Sequence, residues 1–169
     1  ASPQTAYHHG DLRAACIQAG IRLVEDGGPD AVTIRGVARL AGVSHQAPLH
    51  HFHGRDELLH EIAERGFEML IDRLDREMPA GSRPVAGLRA YGLSYVMHAT
   101  EHPGLFRLMF APCDEPTGEA AYRRLIDLCA SAQESGELKG GDPLRLAMLL
   151  WSVVHGVAAL YTSMGLERG

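Results

Sequence analysis

Apolar residues recur at three- and four-residue steps along most of the chain, and strand-like alternation is nearly absent. Leu12, Cys16, Ala19 and Leu23 mark one buried helical face, which Gly27, Gly28 and Pro29 bring to an end. Thr33 is placed to cap a short second helix with Ile34, Val37, Ala38 and Ala41 inward, and Gly42 falls where a left-handed residue belongs. Ser44 is a good cap for a third helix over residues 44–52. A fourth covers residues 55–78 and turns Leu58, Leu59, Ile62, Met69, Leu70 and Leu74 inward. After a turn over residues 79–84, a fifth helix runs to about Glu101 and breaks at Pro103 and Gly104. A short helix over residues 105–110, an irregular segment over 111–118 and a helix to about Ser135 follow. Asp142 and Pro143, cap and first helical residue, open a long last helix to about Met164.

Composition narrows the class. The chain has 169 residues, 46% apolar and 22% charged, as in ordinary globular proteins. Arg145 and His155 interrupt the longest apolar stretch, and residues 1–10 have no signal-peptide core, so a cytoplasmic protein without a membrane partner is expected. Cys16, Cys113 and Cys129 have neither disulfide nor metal-ligand spacing. The net charge of −5 argues against nucleic acid until its distribution is considered. No Asp or Glu occurs from residue 31 to 55, where Arg35, Arg39, Arg55, His45, His50, His51 and His53 all fall. An acidic protein can carry a locally cationic face of this kind.

Ala38, Gly42, Val43 and Ser44 describe two short helices joined by a tight turn, the pattern of a helix-turn-helix. Ala38 permits close helix approach, Gly42 accepts a positive φ, Val43 fills the angle, and Ser44 leaves free amides facing outward. Other chemistries fit less well. His60-Glu61 begins like a zinc-protease signature but has Glu64 where the second histidine belongs. His98 and His102 share a helical face without a third ligand, and neither a phosphate loop nor a nucleophile elbow is present. No catalytic residue, metal or cofactor is expected.

The runs Tyr7-His-His-Gly-Asp-Leu-Arg13, Thr33-Ile-Arg-Gly-Val-Ala-Arg-Leu-Ala-Gly-Val-Ser44, Ala47-Pro-Leu-His-His-Phe52 and Arg55-Asp-Glu-Leu-Leu59 together resemble the DNA-binding domain of TetR-family regulators. Trp151-x-x-x-His155-Gly156 and residues 102–110 are similar to the regulatory domain of a subfamily with a Trp–His–Gly motif. The resemblance implies an all-α protein. Residues 1–54 would be a three-helix DNA-binding domain, and residues 55–169 an effector-binding and dimerising bundle entered by a linking helix at 55–78. It also leads us to expect a further helix beyond Gly169 and a longer segment around residues 111–118.

Laid onto this chain, the resemblance makes residues 44–52 the recognition helix of the major groove. Ser44, His45, Gln46, Leu49 and His50 would face DNA, with Gln46 able to pair with adenine in a bidentate way. Thr33, Arg35 and Arg55 would hold phosphates. Leu49 departs from the family, which usually has a phosphate-contacting Tyr there, and Pro48 removes one early intrahelical bond. The nearby histidines could add positive charge as pH falls or be ordinary surface residues.

The last helix is apolar on two stripes and needs cover on both sides. One stripe is Leu144, Ala147, Trp151, Val154, Ala158 and Tyr161. The other is Leu146, Leu149, Leu150, Val153, Val157 and Leu160. A twofold partner is the natural cover, since palindromic double-stranded operators are read by dimers. Burial in one larger core is the alternative. Tyr91, Tyr95, His98, Phe106, Met109, Tyr122, Trp151 and His155 could line an effector cavity or form solid core. The expected function is a homodimeric DNA-binding transcriptional regulator, a repressor released by a small effector through the linking helix. A helical ligand-binding or sequestering protein with little DNA affinity is the alternative.

Overall fold

The computed structural model describes residues 9–78, 81–113 and 116–164, and among these the fold is all-α. Tyr7 and His8 of the first family-like run, and the region beyond Gly169, lie outside the described residues. The helices are α1 (His9–Gly27), α2 (Ile34–Ala41), α3 (Arg55–Glu77), α4 (Pro84–Glu101), α5 (Pro103–Met109), α6 (Glu119–Glu134) and α7 (Pro143–Met164). Short 3₁₀ turns occupy Pro29–Ala31 and Pro48–His50.

Local chemistry sets the ends of α2. Thr33 is extended, and its Oγ1 accepts from the amide of Gly36 at 2.9 Å. At the other end Gly42 has φ 71°, and its amide and that of Val43 return to the Ala38 and Arg39 carbonyls. Any side chain at Gly42 would be strained by that φ.

The expected third helix is different. Residues 44–52 form no α-helix; they wind as a succession of tight turns. Ala47 N donates to Ser44 O, Leu49 N to Gln46 O, His50 N to Ala47 O and His51 N to Pro48 O, at 2.9–3.2 Å. Pro48 explains the departure. It has no N–H to reach Ser44 O, so that carbonyl is taken by Ala47 in an i→i+3 bond, and the 3₁₀ pitch carries on. Only Phe52, donating to Pro48 O at 2.9 Å, restores an α-type bond.

A single apolar core runs through the molecule. Cys16 and Val24 of α1, Val37 of α2, Phe52, and Leu58 and Ile62 of α3 belong to it, and it continues through Leu70, Tyr95, Leu105 and Leu125. α1 packs on α2, α3 and α5, while α4, α6 and α7 pack on one another. The linking helix α3 is pinned to the bundle by Arg73, bonded to Glu101 of α4 (Nη2 to Oε1, 3.0 Å), and by Asp75, paired with Arg124 of α6 at 3.2 Å.

A second tie joins the halves. Glu25, near the end of α1, accepts from the amides of Gly104 (3.1 Å) and Leu105 (2.8 Å), and so caps α5 from outside it. The approach is close: a Cβ on Gly104 would stand 2.5 Å from the carbonyl oxygen of Val24. Leu105 is fully buried behind this contact.

α7 packs one face on α4 and α6. Ala147 and Ala158 are buried, and Leu146, Leu150, Trp151 and Val154 lie partly buried against the core. Its other face is bare: Leu149, Val153, Leu160 and Met164 are 57–64% exposed. By length and composition alone α7 could cross a membrane. Its inner face is nonetheless packed on two helices of the bundle, with His155 hydrogen-bonded there.

Candidate nucleic-acid interface and effector cavity

The residues expected to meet DNA, Arg55 apart, belong to α2, its cap and the turns that follow it, the last of which pack on α2. Thr33, Arg35, Ser44, His45, Gln46, Leu49 and His50 are all exposed, and they come from α2 and the turns after it. The Thr33 hydroxyl oxygen is already the cap of α2, which leaves its proton to donate. Leu49 is 42% exposed, an apolar contact on an otherwise polar face.

Arg55 is placed otherwise. Its Nε donates to Val32 O at 2.9 Å and its Nη2 to Pro29 O at 2.8 Å, with Asp30 3.6 Å away. The guanidinium thus ties the start of α3 to the α1–α2 connection. Nothing in the sequence distinguishes such an arginine from a phosphate contact; only the tertiary approach of residue 29 does. Beside it, Glu57 accepts from the amide and ring of His53 (2.6 and 2.7 Å), and these bonds hold its carboxyl below the usual range. Arg13 of α1 pairs with Glu61 of α3 and lies over the Phe52 ring, 5.9 Å from its centroid.

Two cavities adjoin the segment between α5 and α6. The larger, about 750 Å³, is a polar cleft lined by Asp30, Asp56, Glu57, Glu61, Arg55 and His60 among others. The second, about 530 Å³, is aromatic, with Phe67, Tyr91, Tyr95, Phe110, Tyr122 and Trp151 in its walls. Ala111 and Thr117 line both. The second has the chemistry of a small-molecule site: mostly apolar walls with a few polar atoms.

Five of the eight residues expected around an effector line that aromatic cavity: Tyr91, Tyr95, Met109, Tyr122 and Trp151. The other three stand behind the wall. Phe106 meets Tyr95 edge-on at 5.6 Å between ring centroids. His155 Nδ1 is 2.7 Å from the Tyr95 hydroxyl, and that hydroxyl accepts from Trp151 Nε1 at 3.1 Å. His98 is buried on α4 with Nε2 3.4 Å from the Met109 sulfur. Phe67, Phe110 and Met148 also line it and were missed, as were Ala111, Pro116 to Glu119 and Ala121, which close one side. Phe67 and Met148 lie on helices whose periodicity marks them as core or surface, Phe110 just past the end of α5, and only packing shows that they leave a space between them.

Burial governs the protonation of this region. It pushes the Tyr91 and Tyr95 phenols up, so both are neutral. It lowers His155, and lowers His98 to about 4 with help from neighbouring His102 and Arg73. Tyr91 donates to Ala121 O at 3.2 Å, whereas the Tyr122 hydroxyl is shielded from solvent with no hydrogen-bond partner.

Comparison with known proteins supplies the family. Residues 17–62 match the profile of bacterial regulatory proteins of the tetR family, and residues 88–168 match that of tetracyclin repressor-like C-terminal domains. No curated protein is similar enough to match. A protein of unknown function from Rhodococcus sp. RHA1 is 32% identical; the alignment covers 98% of this chain and 90% of that one, with a TM-score of 0.82. FadR from Bacillus subtilis, solved with stearoyl-CoA, shares the fold at 13% identity (TM-score 0.76; 92% and 89% covered). AibR, solved with isovaleryl coenzyme A and operator DNA, does so at 17% (TM-score 0.64; 89% and 85% covered). With its DNA-binding and C-terminal parts both matched, the chain belongs to the tetR family of bacterial regulatory proteins.

Proposed function

We propose that the chain is a homodimeric transcriptional regulator, held on a palindromic operator and released when a small molecule enters the aromatic cavity. The observation that carries this is the joint presence of two features on one core. An exposed face spans residues 33–50 with no acidic residue in it, and an aromatic cavity lies across α3 and α5 from that face. Fold neighbours solved with operator DNA or acyl-coenzyme A ligands support a ligand-responsive regulator; in this reading residues 1–54 serve DNA and residues 55–169 the effector and the dimer.

Thr33, Arg35, Ser44, His45, Gln46, Leu49 and His50 form the DNA-facing set in this reading. Arg55 supports it from behind. A second copy covers the outer stripe of α7. This reading takes Trp151, His155 and Gly156 as the motif of the Trp–His–Gly subfamily, and the shared Tyr95 hydroxyl gives the first two a physical reason for their one-turn spacing.

The coupling runs through two ties. α3 links the cavity wall at Phe67 to Arg55, and α5 links the wall at Met109 to the Glu25 cap on α1. A ligand that prefers a shifted α5 then moves α1 and the turn region with it. Such couplings amount to about 1–3 kcal/mol. The test is release: DNA from upstream of the gene, bound by the full chain, is displaced by a compound that quenches Trp151. A compound that fills the cavity and leaves the DNA complex intact contradicts the reading.

The exposed Leu49 and the 3₁₀ pitch of residues 44–52 favour one other reading, a ligand-sequestering protein with little DNA affinity. Equal and feeble binding to upstream and unrelated DNA identifies it.

A further inference from the structure

His98 and His102 have no third ligand near them in the sequence, but packing brings one. His102 N donates to His98 O at 2.9 Å, so the two residues keep a one-turn helical spacing, and their ring centroids are 5.2 Å apart. α5 packs back on α4 and sets the sulfur of Met109 3.4 Å from His98 Nε2. His98 and Met109 are each 2% exposed, whereas His102 is half-buried at the end of α4 and gives the group an edge on solvent.

The spacing suits a shared ion. With a metal at about 2.0 Å from nitrogen and about 2.3 Å from sulfur, a gap of 3.4 Å subtends roughly 100°, near the tetrahedral value. Two imidazoles on one such ion hold their centroids about 5 Å apart. Ligand chemistry then selects the ion. Among the described residues no three of His, Cys, Asp and Glu gather as a metal site, so this set is two imidazoles and a thioether. Arg73 and Glu101, charged neighbours of His98, pair with each other at 3.0 Å and leave no surplus charge. With no carboxylate or thiolate to balance it, a divalent ion is far more costly to bury there than a monovalent one. Thioether sulfur favours soft ions, copper(I) among them.

We propose that His98, His102 and Met109 bind one soft monovalent metal ion, copper(I) or silver(I). The ion joins α4 to the last residue of α5, the helix that Glu25 of α1 caps, so occupancy holds α5 in place. The site stands apart from the regulator reading and needs no effector in the aromatic cavity.

Copper(I) is the probe, titrated in oxygen-free buffer against the coloured chelator bicinchoninate. The full chain carries Cys113→Ser, which removes the exposed thiol; Cys16 and Cys129 are buried and common to every variant. The chain is expected to withdraw one copper(I) from the chelator and to show a raised urea midpoint when loaded. Met109→Leu, close in volume, and His102→Gln, at a half-exposed place, should each weaken binding by at least about tenfold. Met97→Leu removes an exposed thioether of the same helix and should change nothing. Urea midpoints without the ion report the fold of each variant. Copper(I) binding that survives both Met109→Leu and His102→Gln overturns the proposal, and so does zinc(II) bound as tightly as copper(I). Absence of any transfer from the chelator overturns it too, and leaves the approach of His98 to Met109 as an N–H···S hydrogen bond alone. DNA enters none of these readouts, so the site and the regulator reading fail separately.

Discussion

The hydroxyl of Tyr95 on α4 stands 2.7 Å from Nδ1 of His155 on α7, and it accepts the Trp151 indole N–H at 3.1 Å. An indole can only donate, so the phenol oxygen is the acceptor of that second bond. One oxygen thus fastens α7 to α4 twice. Tyr95→Phe leaves an indole N–H and an imidazole nitrogen without these partners in a half-buried place. We expect it to destabilise the fold by about 1–3 kcal/mol in urea unfolding. Unchanged stability would mean the two bonds contribute nothing.

His98 makes stability depend on pH. Its folded pKa of about 4 lies below the ordinary 6.5, because burial penalises the charged ring. Its contribution is complete above about pH 6.5 and is lost as pH falls toward 4. At about 1.4 kcal/mol per unit, the full effect is on the order of 3 kcal/mol. His98→Leu should flatten the difference between urea midpoints at pH 7 and pH 5. An identical acid loss in parent and variant would show that other groups carry it.

Most elements were legible because local chemistry decides them. The Thr33 cap, the Gly42 end and the Asp142-Pro143 start each place a helix boundary without tertiary help. The third helix misled because Ser44 signals a helix start while Pro48, four residues on, withholds the bond that would keep it α. The aromatic residues of the cavity could be named from sequence, but their division into lining and backing could not. Tyr95 and Phe106 carry the same signal, and only the packing of α5 sets one in front of the other. Arg55 shows the same limit: its charge reads as a phosphate contact, its surroundings as a clasp.

Arg55 and Arg35 should part company in salt titrations. If Arg35 holds a phosphate as proposed, replacing it with Ala should lower the salt slope of DNA binding by about 0.9. Replacing Arg55 with Ala should instead cost about 1–3 kcal/mol of stability through two lost charged hydrogen bonds, with the slope unchanged. A reduced slope for Arg55→Ala would return it to the DNA-facing set.

The cap from Glu25 to α5 is expected to carry part of the effector response. Glu25→Ala frees the Gly104 and Leu105 amides and should weaken ligand-driven release of DNA more than it weakens DNA binding itself. Gly104→Ala is harsher, since its Cβ would meet Val24 O at 2.5 Å. Overpacking of this kind costs about 1–3 kcal/mol. Comparing ligand response across the two variants checks the route; a full response in Glu25→Ala would leave α3 as the sole lever.

The outer stripe of α7 predicts the oligomer. Leu149 and Val153 are 61% and 60% exposed in one chain, and a second copy would bury them. Leu149→Glu with Val153→Glu should shift the sedimenting species from dimer to monomer and leave the helical circular dichroism intact. A dimer that survives both changes is held by another surface.

The central claim is specific DNA recognition, and titration of the full chain against DNA from upstream of its gene and against random DNA, at two salt concentrations, tests it most directly. The account predicts a clear preference for the upstream fragment, affinity that falls steeply with salt, and loss of the preference in the Gln46→Ala, His50→Ala double variant. Equal binding to both fragments, unaltered by that variant, would contradict it.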